Sequence, residues 1–237
     1  MNAIVSVTRD WGIGRNGGLV VRNRADMRFF RETTMGGTVV CGRTTFESFP
    51  GGALKGRRNV VLSRNPTFMA QGAEVVASVD DALRTIYENE AFEEPTEASV
   101  GTCFRCAGQS TPELEAPTEA SVGTSTHDVW IIGGESVYRA LLDKCARAFV
   151  TYHDTSVPVD AYFPNLDIDD AWELEDVLGS GTTEQGIAYE FRVYRNLRLL
   201  GEVLSAARLG KPFGDGTSAA RTDVVETGTA TGESGDA

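Results

Sequence analysis

Short apolar runs alternate with amphipathic stretches along most of the chain. The runs read as strands, and they are NAIVSV at 2–7, TVVCG at 38–42, RNVVLS at 58–63, VWII at 129–132, FVTYHDT at 149–155 and the alternating YEFRVYR at 189–195. Helical spacing occurs in 22–34, 43–49, 79–88 and 133–142, and the Gly-rich segment 11–18 reads as a loop. This alternation predicts an α/β fold, with one mostly parallel twisted sheet that carries helices on both faces.

Two segments depart from this pattern. The octapeptide PTEASVGT occurs at 95–102 and again at 117–124, inside a polar stretch with few large apolar residues. Two copies are too few for a repeat architecture, so 89–127 reads as a disordered insertion. The tail 197–237 is rich in Gly, Ala, Ser and Thr; its start, LRLLGEVLSAARL, has the spacing of a weak amphipathic helix and the remainder reads as disordered. We therefore expect a single domain over 1–196, interrupted by the insertion.

The composition fits one sizeable core and disfavours several partners. The chain has 237 residues, 41% of them hydrophobic, and a net charge of −12, half of which lies in 89–127. A negative chain disfavours nucleic acid and anionic lipid, and no stretch resembles a membrane span. The opening lacks a secretion signal and the four cysteines are too few for a disulfide framework. We expect a cytoplasmic protein, and a monomer.

Asp26 lies in an unexpected place within RNRADMRFFRETT. At about 100° per residue, a helix puts Asp26 on one face with Phe29, Phe30 and Thr33. One interpretation is local, since Asn23 could be the N-cap and an acid at the third helical position gains roughly 0.3–1 kcal/mol from the helix dipole. Burying an unpaired carboxylate costs more than this gain. The other interpretation is therefore a cationic or hydrogen-bonding ligand that compensates Asp26.

The ends of three predicted strands carry residues suited to phosphate. Ligands of parallel sheets bind beyond the carboxyl ends of the strands, where backbone N–H groups of the next helix point at an anion. These ends are formed by 42–45, by Ser63 and Arg64, and by the pair Gly133 and Gly134. Paired glycines let the backbone approach a pyrophosphate, and arginines here suit the 2′-phosphate that distinguishes NADP from NAD. Each signal alone is weak, because a Gly pair usually marks a turn and GxGxxG is absent.

The order of these pieces is more specific than any one of them. From the N-terminus, the blocks are NAIVSVTRDWGIGRNG, ADMRFF, VVCGRTTFES, LKGRRNVVLSR, VWIIGGESVY, VTYHD and VDAYFPNLD. They resemble the successive blocks of dihydrofolate reductase, over residues 1–196 apart from the insertion. The resemblance implies NADPH-dependent reduction of 7,8-dihydrofolate to 5,6,7,8-tetrahydrofolate, with hydride transfer to C6 and protonation at N5. It also implies NADPH as the cofactor and dihydrofolate as the small-molecule substrate.

The resemblance assigns roles to individual residues. Asp26 would hydrogen-bond the pterin ring and help protonation at N5, and Thr151 would support the same edge of the ring. Further substrate contacts would come from Ile4, Val5, Phe30, Phe49, Leu54, Arg57, Ile132 and Tyr138, with Arg57 paired to the glutamate carboxylate and Tyr138 near the nicotinamide. Cofactor contacts would come from Ser6, Ile13, Gly14, Gly42, Arg43, Thr44, Thr45, Ser63, Arg64, Gly133, Gly134 and Val137.

The sequence departs from the family at three points. Val20 and Val21 stand where the family usually has Pro-Trp, in the mobile loop that closes over the nicotinamide, and Arg24 stands where it has Pro. Losing the indole N–H removes a donor near Asp26, so we expect slower chemistry or a compensating group. The insertion carries CFRC at 103–106, which is half of a zinc-site spacing, and with only His127 nearby we expect no metal.

Two alternative functions stay open on the sequence. One is a riboflavin-pathway reductase of the same fold, acting on a phosphorylated aminouracil. Such enzymes lack the pterin-binding acid and the Arg57-type clamp, so ADMRFF and LKGRRN favour dihydrofolate. The other is a binding protein that kept the fold and lost turnover, which Val20 and Val21 keep open.

Overall fold

The computed structural model describes residues 1–90 and 128–199 of the chain. Its strands are β1 Asn2–Thr8, β2 Gly12–Arg15, β3 Gly18–Leu19, β4 Thr38–Gly42, β5 Arg58–Leu62, β6 Glu74–Val76, β7 Val129–Gly133, β8 Arg147–His153, β9 Ala161–Tyr162, β10 Trp172–Thr182 and β11 Ala188–Asn196. Its helices are α1 Arg24–Thr34, α2 Arg43–Glu47, α3 Val79–Glu90 and α4 Glu135–Leu141, which a short 3-10 helix extends over Leu142–Lys144.

The central sheet has eight strands in the order β10-β11-β8-β1-β7-β4-β5-β6. The neighbours from β8 to β6 pair in parallel, while β11 runs antiparallel to both β8 and β10. The prediction of a mostly parallel sheet is confirmed. Since the carboxyl ends of β1, β4, β5 and β7 meet at one edge, the residues that follow those strands are brought together there.

Two hydrophobic clusters cover the two faces of this sheet, because successive side chains along a strand point to opposite sides. In β1, Ala3, Val5 and Val7 belong to the first cluster and Ile4 to the second. Helices α3 and α4 pack into the first cluster, whereas α1 and α2 contribute aromatic side chains to the second. The predicted arrangement of helices on both faces is confirmed. Strands buried on both faces explain why the runs read as continuously apolar.

The sequence interpretation missed several strands. The segment 11–18, read as a loop, contains β2 and the start of β3, and these two strands form a small sheet with β9. Strands β6, β9 and β10 were also not predicted. Strand β10 is an edge strand whose residues are mostly exposed, and its sequence WELEDVLGSGT therefore lacks the apolar alternation that marks a half-buried strand. Strands β3, β6 and β9 are too short to show any period.

Two helices begin at a residue whose side chain caps the first turn. Asn23 caps α1, and its Oδ1 accepts a hydrogen bond from the Ala25 N–H at 3.0 Å. Ser78 caps α3, where its Oγ accepts from the Asp81 N–H at 3.1 Å. Within residues 1–90 and 128–199, no helix is both long and apolar enough to cross a membrane. Disorder was predicted for 89–127 and for the tail 197–237. Apart from 89–90 and 197–199, these segments lie outside the described residues, as do CFRC at 103–106 and His127.

Candidate active site

A cavity of about 1140 Å³ opens at the carboxyl ends of the parallel strands. It brings together residues that are far apart in sequence and that follow β1, β4, β5 and β7. All twelve predicted cofactor contacts line it, together with three predicted substrate contacts. These residues are Ser6, Ile13, Gly14, Gly42, Arg43, Thr44, Thr45, Ser63, Arg64, Gly133, Gly134 and Val137, and then Val5, Ile132 and Tyr138.

Three glycines allow neighbouring segments of the cavity wall to pack closely. A Cβ on Gly42 would lie 3.2 Å from the Val137 side chain, and one on Gly134 would lie 3.2 Å from Thr45 Oγ1. Gly133 has a φ of +106°, and a Cβ there would lie 2.9 Å from the Tyr138 ring. Larger residues at these positions would push the walls apart. The backbone N–H groups of the following turns can therefore approach a ligand closely.

The cavity offers one cation without a carboxylate partner. Arg64 is exposed and forms no ion pair with any acid among the described residues. Arg43 pairs with Glu47 at 3.2 Å and remains half exposed. Glu135, an acid on the cavity wall, is occupied, since it pairs with Arg139 at 2.9 Å and accepts from the Tyr162 N–H at 3.0 Å. Asp160, a second acid on the wall, accepts a hydrogen bond from the Asn16 N–H at 2.8 Å. Arg64 is therefore the cation on this wall that is available to a bound anion.

Tyr138 lines the cavity, but its hydroxyl group is bonded within the protein and does not face a ligand. The hydroxyl donates to the Ile4 carbonyl oxygen at 2.7 Å, and the ring packs edge-on against Phe163. Burial raises the pKa of Tyr138 well above its usual value, so the phenol stays neutral. This bond holds helix α4 against strand β1.

Asp26 is buried on the sheet side of α1. Only 9% of its surface is exposed, and Phe30 and Thr33 lie on the same face, as the spacing predicts. Burial raises the pKa of Asp26, while the Thr151 hydroxyl and the His153 ring oppose that shift. Asp26 forms no ion pair with Lys or Arg among the described residues. Its carboxyl group is thus disposed to bind a proton or a ligand N–H.

Thr151 lies beside Asp26 and is also buried. Its hydroxyl lowers the pKa of Asp26, so the two side chains are neighbours. Among the described residues, however, no group meets both the distance and the angle of a hydrogen bond to Thr151 Oγ1. A buried hydroxyl without a partner is uncommon in proteins, and a ligand that donates to both oxygens would satisfy it.

The remaining predicted substrate contacts gather on the same face of the sheet. Ile4 and Ile132 belong to the second hydrophobic cluster, and Phe30, Phe49 and Leu54 are partly buried against it. These side chains form an apolar surface with Asp26 at one end. The arrangement brings together residues from β1, β7, α1 and the connection between α2 and β5.

Arg57 lies at the outer end of this surface. Its Nη1 donates to Thr34 Oγ1 at 3.0 Å, and its guanidinium lies 5.8 Å from the centre of the Phe30 ring. Burial, and secondly the neighbouring Arg31, lower the pKa of Arg57, although an arginine remains charged. No acid pairs with Arg57 among the residues that the structure describes. A ligand carboxylate would supply the missing partner.

Comparison with known proteins assigns this arrangement to a family. The sequence profile described as dihydrofolate reductase matches residues 1–97 and 106–196. The chain belongs to the dihydrofolate reductase family. The gap within the match, residues 98–105, falls inside the segment read as an insertion, and the match ends where the predicted tail begins.

Individual relatives agree with the family match. The dihydrofolate reductase of Schistosoma mansoni is 30% identical over 207 residues, which cover 82% of this chain and 95% of the relative. That of Mycobacterium tuberculosis (strain ATCC 25618 / H37Rv) is 36% identical over 168 residues, covering 69% and 78%. A solved structure of the dihydrofolate reductase from Enterococcus faecalis, complexed with NADP(H) and RAB-propyl, has a TM-score of 0.59 and 24% identity, covering 82% and 95%. This last likeness supports the fold.

The departures from the dihydrofolate reductase pattern are visible in the structure. Val21 is buried, and an apolar side chain cannot donate a hydrogen bond toward Asp26. Arg24 is the first residue of α1, and it forms an exposed ion pair with Glu184 at 3.0 Å. The polar neighbours of Asp26 come instead from β8, which carries Thr151 and His153.

Sequence reasoning missed two polar residues that support the site. Asn59, in the otherwise apolar strand RNVVL, is buried; its Oδ1 accepts from the Leu54 N–H at 2.9 Å and its Nδ2 donates to the Leu54 and Arg57 carbonyl oxygens. It thereby holds the connection that carries three predicted substrate contacts, Phe49, Leu54 and Arg57. His153, which ends β8, is fully buried. The available signal in each case was a polar residue inside a buried strand.

Proposed function

We propose that this chain reduces 7,8-dihydrofolate to 5,6,7,8-tetrahydrofolate with NADPH, by hydride transfer to C6 and protonation at N5. The observation that supports it most is the carboxyl group of Asp26, buried beside Thr151 on a face lined by apolar side chains. Burying such a carboxyl group without a partner costs free energy in the ligand-free protein. The N–H groups of a flat nitrogen heterocycle would supply the missing hydrogen bonds. The reaction would feed one-carbon and thymidylate metabolism.

The proposed role of Asp26 follows from its surroundings. Its two carboxyl oxygens can accept from the two N–H groups of an amidine-like edge, which gives the ring one orientation. Because burial raises the pKa of Asp26, the carboxyl also holds a proton at a higher pH than an exposed aspartate would. Thr151 Oγ1, buried without a partner, would bind the same edge.

The chain's own residues suit NADPH. Pockets for drug-sized ligands measure about 300–1,000 Å³. The cavity, at about 1140 Å³, is large enough for a dinucleotide. Gly42, Gly133 and Gly134 let the backbone reach a pyrophosphate, while Arg64 and Ser63 would hold the 2′-phosphate. When bound, NADPH supplies the hydride.

Arg57 favours dihydrofolate over the phosphorylated aminouracil of the riboflavin pathway. It is a partly buried cation that no acid neutralises among the described residues, and it lies at the end of the apolar surface opposite Asp26. This position suits the glutamate carboxylate of a folate. An aminouracil with a ribitol phosphate has no carboxylate to place there.

A spectrophotometric assay of NADPH consumption tests the proposal. The purified chain should oxidise NADPH with dihydrofolate and not with the aminouracil phosphate, in low and in high salt. The variant Glu32→Gln, on the exposed face of α1, serves as a matched control for Asp26→Asn. Tight folate binding without NADPH consumption would favour the non-catalytic alternative, and consumption with the aminouracil alone would favour the riboflavin pathway.

A further inference from the structure

His153 is a buried titratable residue that the proposed mechanism does not use. It lies two residues after Thr151 on β8, so both side chains leave the strand on the same face, toward Asp26. The ring is fully buried, and its polar neighbours include Val7 O at 3.2 Å, Asn23 Nδ2 at 3.1 Å, Ser6 Oγ at 3.5 Å and the Thr151 backbone.

These contacts fix the protonation state of the ring. Val7 O can only accept, so Nδ1 carries a hydrogen and donates to it. Asn23 Oδ1 already accepts from the Ala25 N–H, which leaves Asn23 Nδ2 as the group that faces Nε2. Since Nδ2 can only donate, Nε2 must be an acceptor. The network therefore requires a neutral imidazole with its hydrogen on Nδ1.

Protonation of His153 would break this network. An imidazolium places a hydrogen on Nε2, where it would face the Nδ2 hydrogens of Asn23, and that amide would have to turn away from its cap. Burial lowers the pKa of His153, which agrees with a neutral ring, while Asp26 opposes that shift. The titratable groups that face the ring are Asp26 from α1 and Tyr189 from β11, whose ring centre lies 6.0 Å away; β1 presents only neutral groups.

We propose that His153 is a positioning residue for Asp26, acting through Asn23. The neutral ring accepts from the N-cap amide and so fixes the first turn of α1, which places the Asp26 carboxyl against the pterin site. The inference rests on the proposed reductase function, since it assigns Asp26 a role in turnover. It also predicts that turnover falls at acid pH, because a cationic His153 releases Asn23 and favours the ionised form of Asp26.

Nuclear magnetic resonance of the imidazole nitrogens tests the geometry without any substrate. The chain has two histidines, so His127→Gln assigns the other signal to His153. We expect a neutral Nδ1–H ring at pH 6.5, near where a free histidine is about half protonated. Asn23→Asp keeps the cap but puts a carboxylate oxygen opposite Nε2, so it should raise the pH at which His153 titrates; Asn23→Ser should not. An Nε2–H tautomer, or titration like a free histidine, overturns the inference.

Kinetics of two His153 variants test the positioning role. His153→Ile removes the acceptor for Asn23 and should lower kcat about tenfold, the effect of one lost buried hydrogen bond, with KM for NADPH nearly unchanged. His153→Gln can accept from Asn23 and donate to Val7 O, and should recover most of the rate. We expect the parent's rate to fall at acid pH as His153 gains a proton. Because glutamine does not titrate, His153→Gln should lack that acid limb in its pH–rate profile.

The outcomes separate the two proposals. A parent chain that does not turn over dihydrofolate contradicts the reductase function, and this inference with it. If the parent is active and His153→Ile matches its kcat, or His153→Gln keeps the acid limb, only the inference is overturned. Melting temperatures of both variants show whether a lost rate reflects unfolding, and a folded His153→Ile protein with impaired kcat supports the positioning role.

Discussion

Asp26 is a residue whose position costs stability in the absence of a ligand. Burial raises its pKa above the unfolded value of 3.8, so the folded protein binds the proton more tightly than the unfolded chain does. The resulting stabilisation is fully present below pH 3.8 and is lost as the pH rises through the folded pKa. At neutral pH the ligand-free site therefore holds a group that opposes folding, as functional sites commonly do.

Asp26→Asn should separate stability from activity. The amide carries no charge to desolvate, so we expect the free energy of unfolding at pH 7 to rise by about 1 kcal/mol, or roughly 2–4 °C in Tm. Turnover at neutral pH should fall at least about a hundredfold, with NADPH affinity retained. Thermal melts and steady-state kinetics, with Glu32→Gln as control, measure both. A variant that turns over at the parent rate contradicts the assigned role.

Arg64 is the residue on which we expect cofactor choice to depend. Replacing this exposed cation by glutamine, Arg64→Gln, should raise KM for NADPH about tenfold and leave KM for NADH nearly unchanged, because only NADPH carries the 2′-phosphate. Arg84→Gln, on the exposed side of α3, removes an equal charge away from the cavity and is the control. An equal loss for both cofactors would argue against a 2′-phosphate contact.

At the scale of elements, helix α1 shows how far local patterns reach. Its period, its Asn23 cap and the burial of Asp26 all follow from the sequence and are confirmed. Strands β6, β9 and β10 did not follow, since they are short or mostly exposed at a sheet edge. Their place is set by pairing with a neighbouring strand, which a local window does not contain.

One buried side chain, that of Asn59, makes three hydrogen bonds to the connection between α2 and β5. Asn59→Ala would remove one acceptor and two donor bonds that hold Leu54 and Arg57, at a cost of about 1–3 kcal/mol in the free energy of unfolding. Because this connection carries the proposed carboxylate clamp, KM for dihydrofolate should rise, while NADPH binding stays near the parent value. Denaturant unfolding and kinetics measure this, with Asn165→Ala as control. An unchanged KM in a destabilised variant would limit Asn59 to folding.

At the scale of the whole molecule, every predicted contact residue lies outside 91–127. Replacing 91–127 by a short Gly-Ser linker should therefore leave kcat and both KM values within about twofold of the parent, because loop length changes the closure free energy only slowly. A matched deletion of 200–237 tests the tail in the same assay. Loss of activity on removing 91–127, in a chain that still folds, would assign that segment a part in catalysis.

The alternation of strands and helices and the buried face of α1 could be predicted from local sequence, because the period of apolar residues indicates which side of an element is covered. The order of the sequence blocks was enough to indicate the family. The contact between His153 and Asn23, and the hydrogen bonds from Asn59 to the connection that carries Arg57, could be seen only in the folded chain. The order of the strands in the sheet determines these contacts. Parallel pairing brings together residues more than a hundred positions apart, which no local sequence pattern relates.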